Sequence, residues 1–193
     1  MRKWLMTLIL TATLSGCAAP GVEHYRDQRP ALDLPTYLNG TLDAWGMFQS
    51  RSGEIVKRFH VVIDARWQGD TGVLDERFQW SDGSTSRRVW TLQRQADGSY
   101  RGRADDVIGE AVGSVAGNTL RWRYVMALPV DGQVWQVDFD DWMVLMDDRV
   151  MLNRSVMSKW GVELGEVTLS FVRRTPPAEA ATATATAPVA PGS

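Results

Sequence analysis

The chain has 193 residues, 44% of them hydrophobic, with 21 lysines and arginines against 23 aspartates and glutamates. This length fits one folded domain with terminal extensions, and the slight acidic excess excludes the basic surface that nucleic-acid binding requires. Cys17 is the single cysteine, so the chain cannot form an internal disulfide.

The N-terminus has the pattern of an export signal. Residues 1–3 carry two positive charges, and Trp4–Leu14 is an uncharged, mainly apolar run of about eleven residues. A membrane-spanning helix needs about twenty apolar residues, so this run is too short to remain as a span. It ends in Leu-Ser-Gly-Cys at 14–17, which resembles the bacterial lipobox, where a large aliphatic residue and two small ones precede a modified cysteine.

That resemblance implies a signal peptide over residues 1–16, cleavage between Gly16 and Cys17, and acylation of Cys17 by a diacylglyceryl group and a further chain such as palmitate. Several acyl chains would anchor the protein to a membrane, because a single myristoyl chain gives only marginal binding. Ala18 implies, by analogy with enteric bacteria, an outer-membrane lipoprotein that faces the periplasm of a Gram-negative envelope. The alternatives are a secreted protein cut by the ordinary signal peptidase, and a cysteine buried in the core.

The rest of the chain divides into three parts. Residues 17–38 contain three prolines, mixed charges and no periodicity, which indicates a tether. Residues 175–193 consist almost wholly of Ala, Thr and Pro, with too few large apolar groups to offset the entropy of ordering, and are predicted to be disordered. The folded domain is therefore expected over residues 39–174.

Within that domain, turn signals recur about every ten residues, and the intervening segments alternate apolar and polar residues. Such spacing predicts short antiparallel strands joined by tight hairpins. No segment keeps a helical apolar period over three turns. We count about nine strands, and two of them show the apolar face clearly: Phe59, Val61, Ile63, Ala65 and Trp67 in one, and Leu120, Trp122, Tyr124, Met126 and Leu128 in the other.

The expected fold is all-β, an antiparallel up-and-down barrel, since short consecutive connections close most simply in this way and leave no free edge. A β-sandwich is the alternative. A membrane-spanning barrel is disfavoured, because a lipid-facing band must be apolar and the outward faces here carry arginines and aspartates. Aromatic and methionine residues are abundant, and they suit either a filled interior or a cavity for one apolar ligand.

Several short motifs are spread over nearly all of residues 39–174. They are Asn39-Gly40, Ala44-Trp45-Gly46, Arg103–Val107 with Gly109, Leu128–Gly132, Phe139–Met143, Asn153-Arg154, Met157–Lys159 with Gly161, and Gly165–Leu169. Together they resemble a family of lipoproteins of Gram-negative bacteria that is classified only as domain of unknown function 3833. The resemblance implies work on lipid, because family members are often encoded near enzymes that modify membrane acyl chains. A looser, architectural likeness is to lipocalin-type barrels, although their Gly-x-Trp signature is absent.

Carboxylates and their neighbours are the candidates for a polar or ligand site. Members of the pairs Asp105-Asp106 and Asp140-Asp141 point to opposite faces of a strand, so acid–base chemistry would need one carboxylate from each pair. Glu76 falls on an apolar strand face, where burial would raise its pKa, and Arg154 is its expected partner. The full set of candidates is Glu76, Arg103, Asp105, Asp106, Asp140, Asp141, Trp142, Asn153, Arg154 and Lys159.

Other chemistries find little support in the sequence. Ser158-Lys159 lacks the spacing of a serine–lysine nucleophile, the two histidines have no metal-ligand neighbours, and no glycine-rich phosphate loop is present. We therefore expect no catalytic residue, no metal and no cofactor. Three hypotheses follow: a membrane-tethered barrel that binds a lipid or other apolar ligand, an envelope scaffold that binds a protein partner, and an enzyme that acts on lipid or glycan through Asp105, Asp140 or Glu76.

Overall fold

The computed structural model describes residues 19–130 and 132–174 and shows ten antiparallel strands in one closed barrel. Each strand pairs with the next along the chain, and the last strand pairs with the first. The strands are β1 Gly40–Ser50, β2 Ile55–Gln68, β3 Thr71–Trp80, β4 Thr85–Arg94, β5 Tyr100–Arg103, β6 Val107–Ala116, β7 Thr119–Val130, β8 Gln133–Leu145, β9 Val150–Lys159 and β10 Val162–Arg173.

The predicted all-β, up-and-down barrel is confirmed, and the β-sandwich alternative is wrong, because the sheet closes on itself through the β1–β10 pair. There are ten strands where the sequence predicts about nine. The four-residue strand β5 explains why a strand is easily missed, since Tyr100 is its only large apolar side chain. The predicted apolar faces of β2 and β7 point inward: Val61, Ile63 and Ala65 are at most 2% exposed.

Inward-facing glycines give the interior room for tryptophan rings. Gly113 on β6 and Gly102 on β5 both lie against the ring of Trp122 from β7, and a Cβ atom would stand 2.4 Å from a ring atom at Gly113 and 2.3 Å at Gly102. Gly72 makes the same space for Trp67, at 2.5 Å. These strands therefore accept glycine, at some cost in chain entropy, because a large ring fills the volume that a side chain would otherwise take.

The segment before β1 folds onto one end of the barrel. A single 3-10 turn, Val22–Tyr25, contacts β6 and β7, and a one-turn helix, α1 (Leu34–Tyr37), is capped by Asp33, which accepts a hydrogen bond from the Thr36 amide at 3.2 Å. Leu34 and Tyr37 are at most 3% exposed. We call the barrel end that this segment covers the closed end.

Three hydrogen-bonded contacts fix this segment. The Leu32 amide donates to the Gly117 carbonyl at 2.8 Å, and the Trp67 indole donates to the Leu38 carbonyl at 2.7 Å. The Tyr37 hydroxyl lies 3.1 Å from the Arg149 carbonyl oxygen. The prediction of a tether over 17–38 is therefore wrong for residues 22–38, because five apolar residues there are buried: Val22, Leu32, Leu34, Tyr37 and Leu38. The predicted signal peptide, Cys17 and the 175–193 tail lie outside the described residues.

The shortness of β5 leaves one interval of the wall with an incomplete ladder. Strand β4 is in register with β5 only from Thr91 to Arg94. Among the described residues, the preceding stretch of β4, 85–90, has no register partner on that side. The β5–β6 turn lies beside β7, where the Ala127 amide donates to the Asp106 carbonyl at 2.8 Å. We call the interval between 85–90 of β4 and this turn the notch.

Candidate functional site

The barrel encloses a cavity of about 810 Å³. It extends from Leu34 and Leu38 at the closed end to Lys57, Val130 and Trp135 at the other end, which we call the mouth. Most side chains that line it are aliphatic, aromatic or methionine, so the barrel is hollow and its interior is mainly apolar. The lining includes Phe48, Phe59, Val61, Ile63, Phe78, Trp80, Trp90, Trp122, Tyr124, Met126, Val137, Phe139, Met143, Met151 and Met157.

Aromatic side chains with nearby lysines form part of the mouth. Phe78 and Trp80 are stacked with ring centroids 5.5 Å apart, and the Lys57 ammonium lies 4.6 Å from the centroid of Trp80. Lys159 stands in the same way 4.4 Å from the centroid of Trp135. Such cation–π contacts contribute up to about 1 kcal/mol at exposed sites. The predicted site residue Lys159 is thus placed at the mouth rather than inside the cavity.

Midway along the apolar cavity lies a group of polar side chains from five strands or turns, which we call the interior polar cluster. Its centre is Arg88 on β4, whose guanidinium donates to Asp106 at 2.7 to 3.0 Å and lies 3.9 Å from Glu76 on β3. Asp141 on β8 supplies the third carboxyl group of the cluster. The cluster is made of Glu76, Arg88, Asp106, Asp141, Asn153 and Ser155.

Burial changes the protonation of two of these carboxyl groups. It raises the pKa of Glu76 to about 7, although the charge of Arg88 lowers it part of the way. It raises the pKa of Asp141 to about 7 as well, against smaller lowering effects from Ser155, Asn153 and Arg88. Near neutral pH both groups are therefore divided between the protonated and the ionised form.

Three buried polar atoms of the cluster have no hydrogen-bond partner: Asp141 Oδ1, Asn153 Oδ1 and Ser155 Oγ. The three residues are at most 5% exposed, and Asp141 is the direct cross-strand neighbour of Ser155. Ser155 and Asn153 lie near enough to Asp141 to lower its pKa. Neither side chain has the distance and angle that a hydrogen bond to Asp141 Oδ1 requires. Each unpaired buried polar group lowers the free energy of unfolding by roughly 1 to 3 kcal/mol. A bound polar group that forms hydrogen bonds with these atoms would remove that cost.

The sequence-predicted candidates separate into an inner and an outer set. Glu76, Asp106, Asp141 and Asn153 line the cavity. The outer residues are mostly engaged with one another or with other surface side chains: Arg103 pairs with Glu110 at 2.7 Å, Asp140 with Arg121 at 2.6 Å and Arg154 with Glu166, Trp142 lies beneath Arg121 and Asp105 is exposed.

One expectation about these candidates is therefore wrong. Arg154 does not face Glu76, because it lies between the inward-facing Asn153 and Ser155 on β9 and points outward; Arg88 takes the inner place. Of the three carboxylates named for an enzyme, Glu76 lines the cavity and Asp105 and Asp140 do not, whereas Asp106 and Asp141, one from each pair, both line it. Arg88 was missed, although its alternation with Trp90 and Leu92 on β4 marks it as inward-facing.

Two further observations concern metals and membranes. Among residues 19–130 and 132–174, no group of three or more His, Cys, Asp or Glu side chains is arranged to hold a metal ion. Across the same described part of the chain, no helix has the length and apolar character needed to cross a membrane.

The fold and its cavity define a lipocalin-like closed β-barrel. Among solved structures, the chain is similar to the S-type phycobiliprotein lyase CPES from Guillardia theta, with a TM-score of 0.60 and 7% identity over 82% of this chain and 100% of that one. It is also similar to a de novo designed fluorescence-activating β-barrel, with a TM-score of 0.41 and 13% identity over 74% of this chain and 99% of the design.

The chain belongs to the family described as protein of unknown function (DUF3833), whose model matches residues 11–173. The family resemblance in the sequence motifs is thereby confirmed. A comparison with curated proteins finds no match.

Proposed function

We propose that this protein is an envelope lipoprotein that binds one apolar ligand, such as a lipid, inside its barrel. The observation that carries the proposal is the cavity of about 810 Å³ with its mainly aliphatic and aromatic lining. Ligand sites in proteins usually have volumes of about 300 to 1,000 Å³ and combine apolar walls with a few polar groups. The fold of the phycobiliprotein lyase supports the choice of architecture.

Apolar ligand binding also explains why so large an interior is retained. Protein cores are close-packed, and cavities larger than a few water molecules lower stability. Here glycines at 72, 102 and 113 make room for the rings of Trp67 and Trp122, so packing is tight in these parts of the wall. The cavity is therefore not a result of loose packing throughout the barrel.

The ligand-binding proposal is tested with a pair of neighbouring variants. Val61 is 2% exposed and lines the cavity, whereas Val62 points outward on the same strand. We expect Val61→Trp to weaken binding of the apolar dye N-phenyl-1-naphthylamine at least about tenfold, because the new ring occupies the space that the dye needs. Val62→Trp should leave dye affinity unchanged. Fluorescence titration measures both, with circular dichroism as the folding control.

Dye binding that is absent from the unaltered protein, or equal in the two tryptophan variants, would contradict a binding cavity. The identity of the native ligand is tested separately. Native mass spectrometry of the Cys17→Ser protein purified from a Gram-negative envelope should show a copurified lipid mass. If only the bare protein mass is found while dye binds, the natural ligand is an apolar molecule other than a lipid.

Membrane anchoring is proposed from the signal pattern and Cys17. We expect the full chain to sediment with outer membranes, and a Cys17→Ser form exported behind an ordinary cleavable signal peptide to move to the soluble periplasmic fraction, because a chain with neither acyl groups nor an uncleaved signal has no apolar anchor. Ser15→Ala, which keeps a small residue before the cut, is the matched control and should stay with the membrane. Equal distribution of the unaltered and Cys17→Ser forms would contradict acylation at Cys17.

A further inference from the structure

We propose that Asp141, Asn153 and Ser155 form a head-group subsite, which selects an apolar ligand whose head group donates hydrogen bonds. The subsite binds an ammonium more tightly than a hydroxyl, and it binds a carboxylate most weakly. This inference rests on the proposed binding of an apolar ligand in the cavity and names the chemistry of its polar end.

The unpaired atoms determine the kind of head group. Asp141 Oδ1 and Asn153 Oδ1 accept hydrogen bonds, and Ser155 Oγ can do so as well; none of them has a partner. All three side chains are at least nine-tenths buried and line the cavity. A ligand that supplies donors satisfies these oxygens, whereas a ligand that supplies only acceptors leaves two of them unpaired.

The charged side chains that line the cavity also favour a head group that donates hydrogen bonds. Three cationic side chains line it, and each is already paired with a carboxylate: Lys57 with Asp82 at 2.7 Å, Arg87 with Asp75 at 2.7 Å, and Arg88 with Asp106 at 2.7 Å. Asp141 lines the same cavity without such a pair. A ligand carboxylate would therefore find no free cation among the described residues that line the cavity, and it would be repelled by the carboxylates of the interior polar cluster.

The surroundings of Asp141 explain why an ammonium should bind best. The negative charge of Asp140 raises the pKa of Asp141, and the positive charge of Arg88 lowers it. Burial is the main cause of the raised pKa values of Glu76 and Tyr124, and the charge of Asp141 raises both further. An ammonium beside Asp141 would stabilise its ionised form, so binding releases a proton at pH 6. Charge-assisted hydrogen bonds are about twice as strong as neutral ones, which places the ammonium above the hydroxyl.

The test uses three probes with the same chain and different heads: dodecylamine, dodecanol and dodecanoate, each below the concentration at which it forms micelles. Each probe competes with N-phenyl-1-naphthylamine for the Cys17→Ser protein. We expect dodecylamine to displace the dye at a concentration at least about tenfold lower than dodecanoate, a ratio that corresponds to about 1.4 kcal/mol. Dodecanol should fall between them.

Variants attribute this preference to the subsite. Asp141→Asn should remove most of the advantage of the amine, taken within each variant as the ratio of the dodecanoate and dodecylamine concentrations that displace the dye, and Asn153→Leu should reduce this ratio less. Asp140→Asn is the matched control, because Asp140 is adjacent in sequence but pairs with Arg121 on the outer surface; it should keep most of the preference, since it removes a nearby charge but no group of the subsite. The folding of each variant is checked by circular dichroism.

The outcomes separate the two proposals. If the dye does not bind, the proposed function and this subsite both fail. If the dye binds but the three heads compete equally, or dodecanoate competes best, the cavity is retained and the subsite is overturned. A preference for the amine that persists in both Asp141→Asn and Asn153→Leu also overturns it, because the selecting group must then lie elsewhere.

Discussion

Asp141→Asn is expected to raise the free energy of unfolding at pH 8 and to flatten its change between pH 5 and pH 8. The folded-state pKa of Asp141 is about 7, raised by burial from an ordinary value of 3.8. The stabilising effect of the protonated form is fully present below the ordinary pKa and is lost as the pH rises toward 7. This loss amounts to a few kcal/mol, on the order of 1.4 kcal/mol for each pKa unit, and an amide in place of the carboxyl removes it.

The measurement is urea unfolding of the Cys17→Ser protein and its variants from pH 5 to pH 8. Asp140→Asn provides the comparison, since it loses a surface pair with Arg121 and keeps most of the pH dependence of the parent, because burial rather than the charge of Asp140 is the main cause of the raised pKa of Asp141. Glu76 titrates in the same range with the same sign, so Asp141→Asn should retain part of the slope. A variant that is less stable than its parent at pH 8 would contradict the burial of an ionisable group at this position.

At acidic pH, the change in the free energy of unfolding comes from carboxylates on the outer surface. Hydrogen bonds from Arg174 and His60 lower the pKa of Asp43 to about 2, against the raising effect of burial. This contribution is present above the ordinary pKa and is lost as the pH falls toward 2. Stability is therefore expected to be greatest in the mildly acidic range, where the outer carboxylates are ionised and the interior ones are still protonated.

Arg88→Met should destabilise the fold by about 3 kcal/mol above pH 7, the lower end of the usual cost of removing one partner from a buried ion pair, because the Asp106 side chain is 37% exposed. Arg88 holds Asp106 through three hydrogen bonds and faces Glu76, so its loss leaves Glu76 in an apolar interior without its cation. At pH 5 the loss should be smaller, because Glu76 is then protonated. Urea unfolding at the two pH values measures this difference.

Arg87→Met is the matched control for this prediction. Arg87 is the preceding residue, and it pairs with Asp75 while its side chain is 65% exposed, so its removal should change stability little. A loss in Arg88→Met no larger than the loss in Arg87→Met would show that the interior pair does not stabilise the fold, and an Arg88→Met loss that is equal at pH 5 and above pH 7 would show that Arg88 does not act through the charge of Glu76. Additional replacement of Glu76 by Gln in the Arg88→Met protein should recover part of the stability above pH 7.

The fold follows from the sequence because the period of two along each strand reports which side chains face inward. The alternation of β2 and β7 is sufficient to place Val61, Ile63, Trp122 and Tyr124 in the interior. The β1–β10 pair depends on the closure of the whole sheet, and local pattern does not contain this information. The short β5 and the N-terminal segment were missed for a related reason, since their few apolar residues are buried only by contacts with distant strands.

The sequence predicts most of the residues of the interior polar cluster, but it does not predict which of them form ion pairs. Alternation separates Asp140 from Asp141 and places Glu76 inside, but it cannot show which cation meets Glu76 across the barrel. Arg154 and Arg88 each lie on a strand with clear alternation, and only Arg88 shares the inward face. Reading the faces of β4 and β9 residue by residue would have found this distinction. The absence of partners for Asp141 and Asn153 depends on three-dimensional packing and has no counterpart in the sequence.

The notch beside β5 sets where the barrel wall is weakest against local unfolding. Over 85–90, strand β4 lacks register partners on one side among the described residues, and the side-chain bridge from Arg88 to Asp106 spans the interval instead. Local opening begins where few main-chain hydrogen bonds must break, so amide hydrogens here should exchange with solvent before those of the other walls. We expect such opening to give the proposed ligand a lateral route into the cavity, so that a long molecule need not thread the mouth.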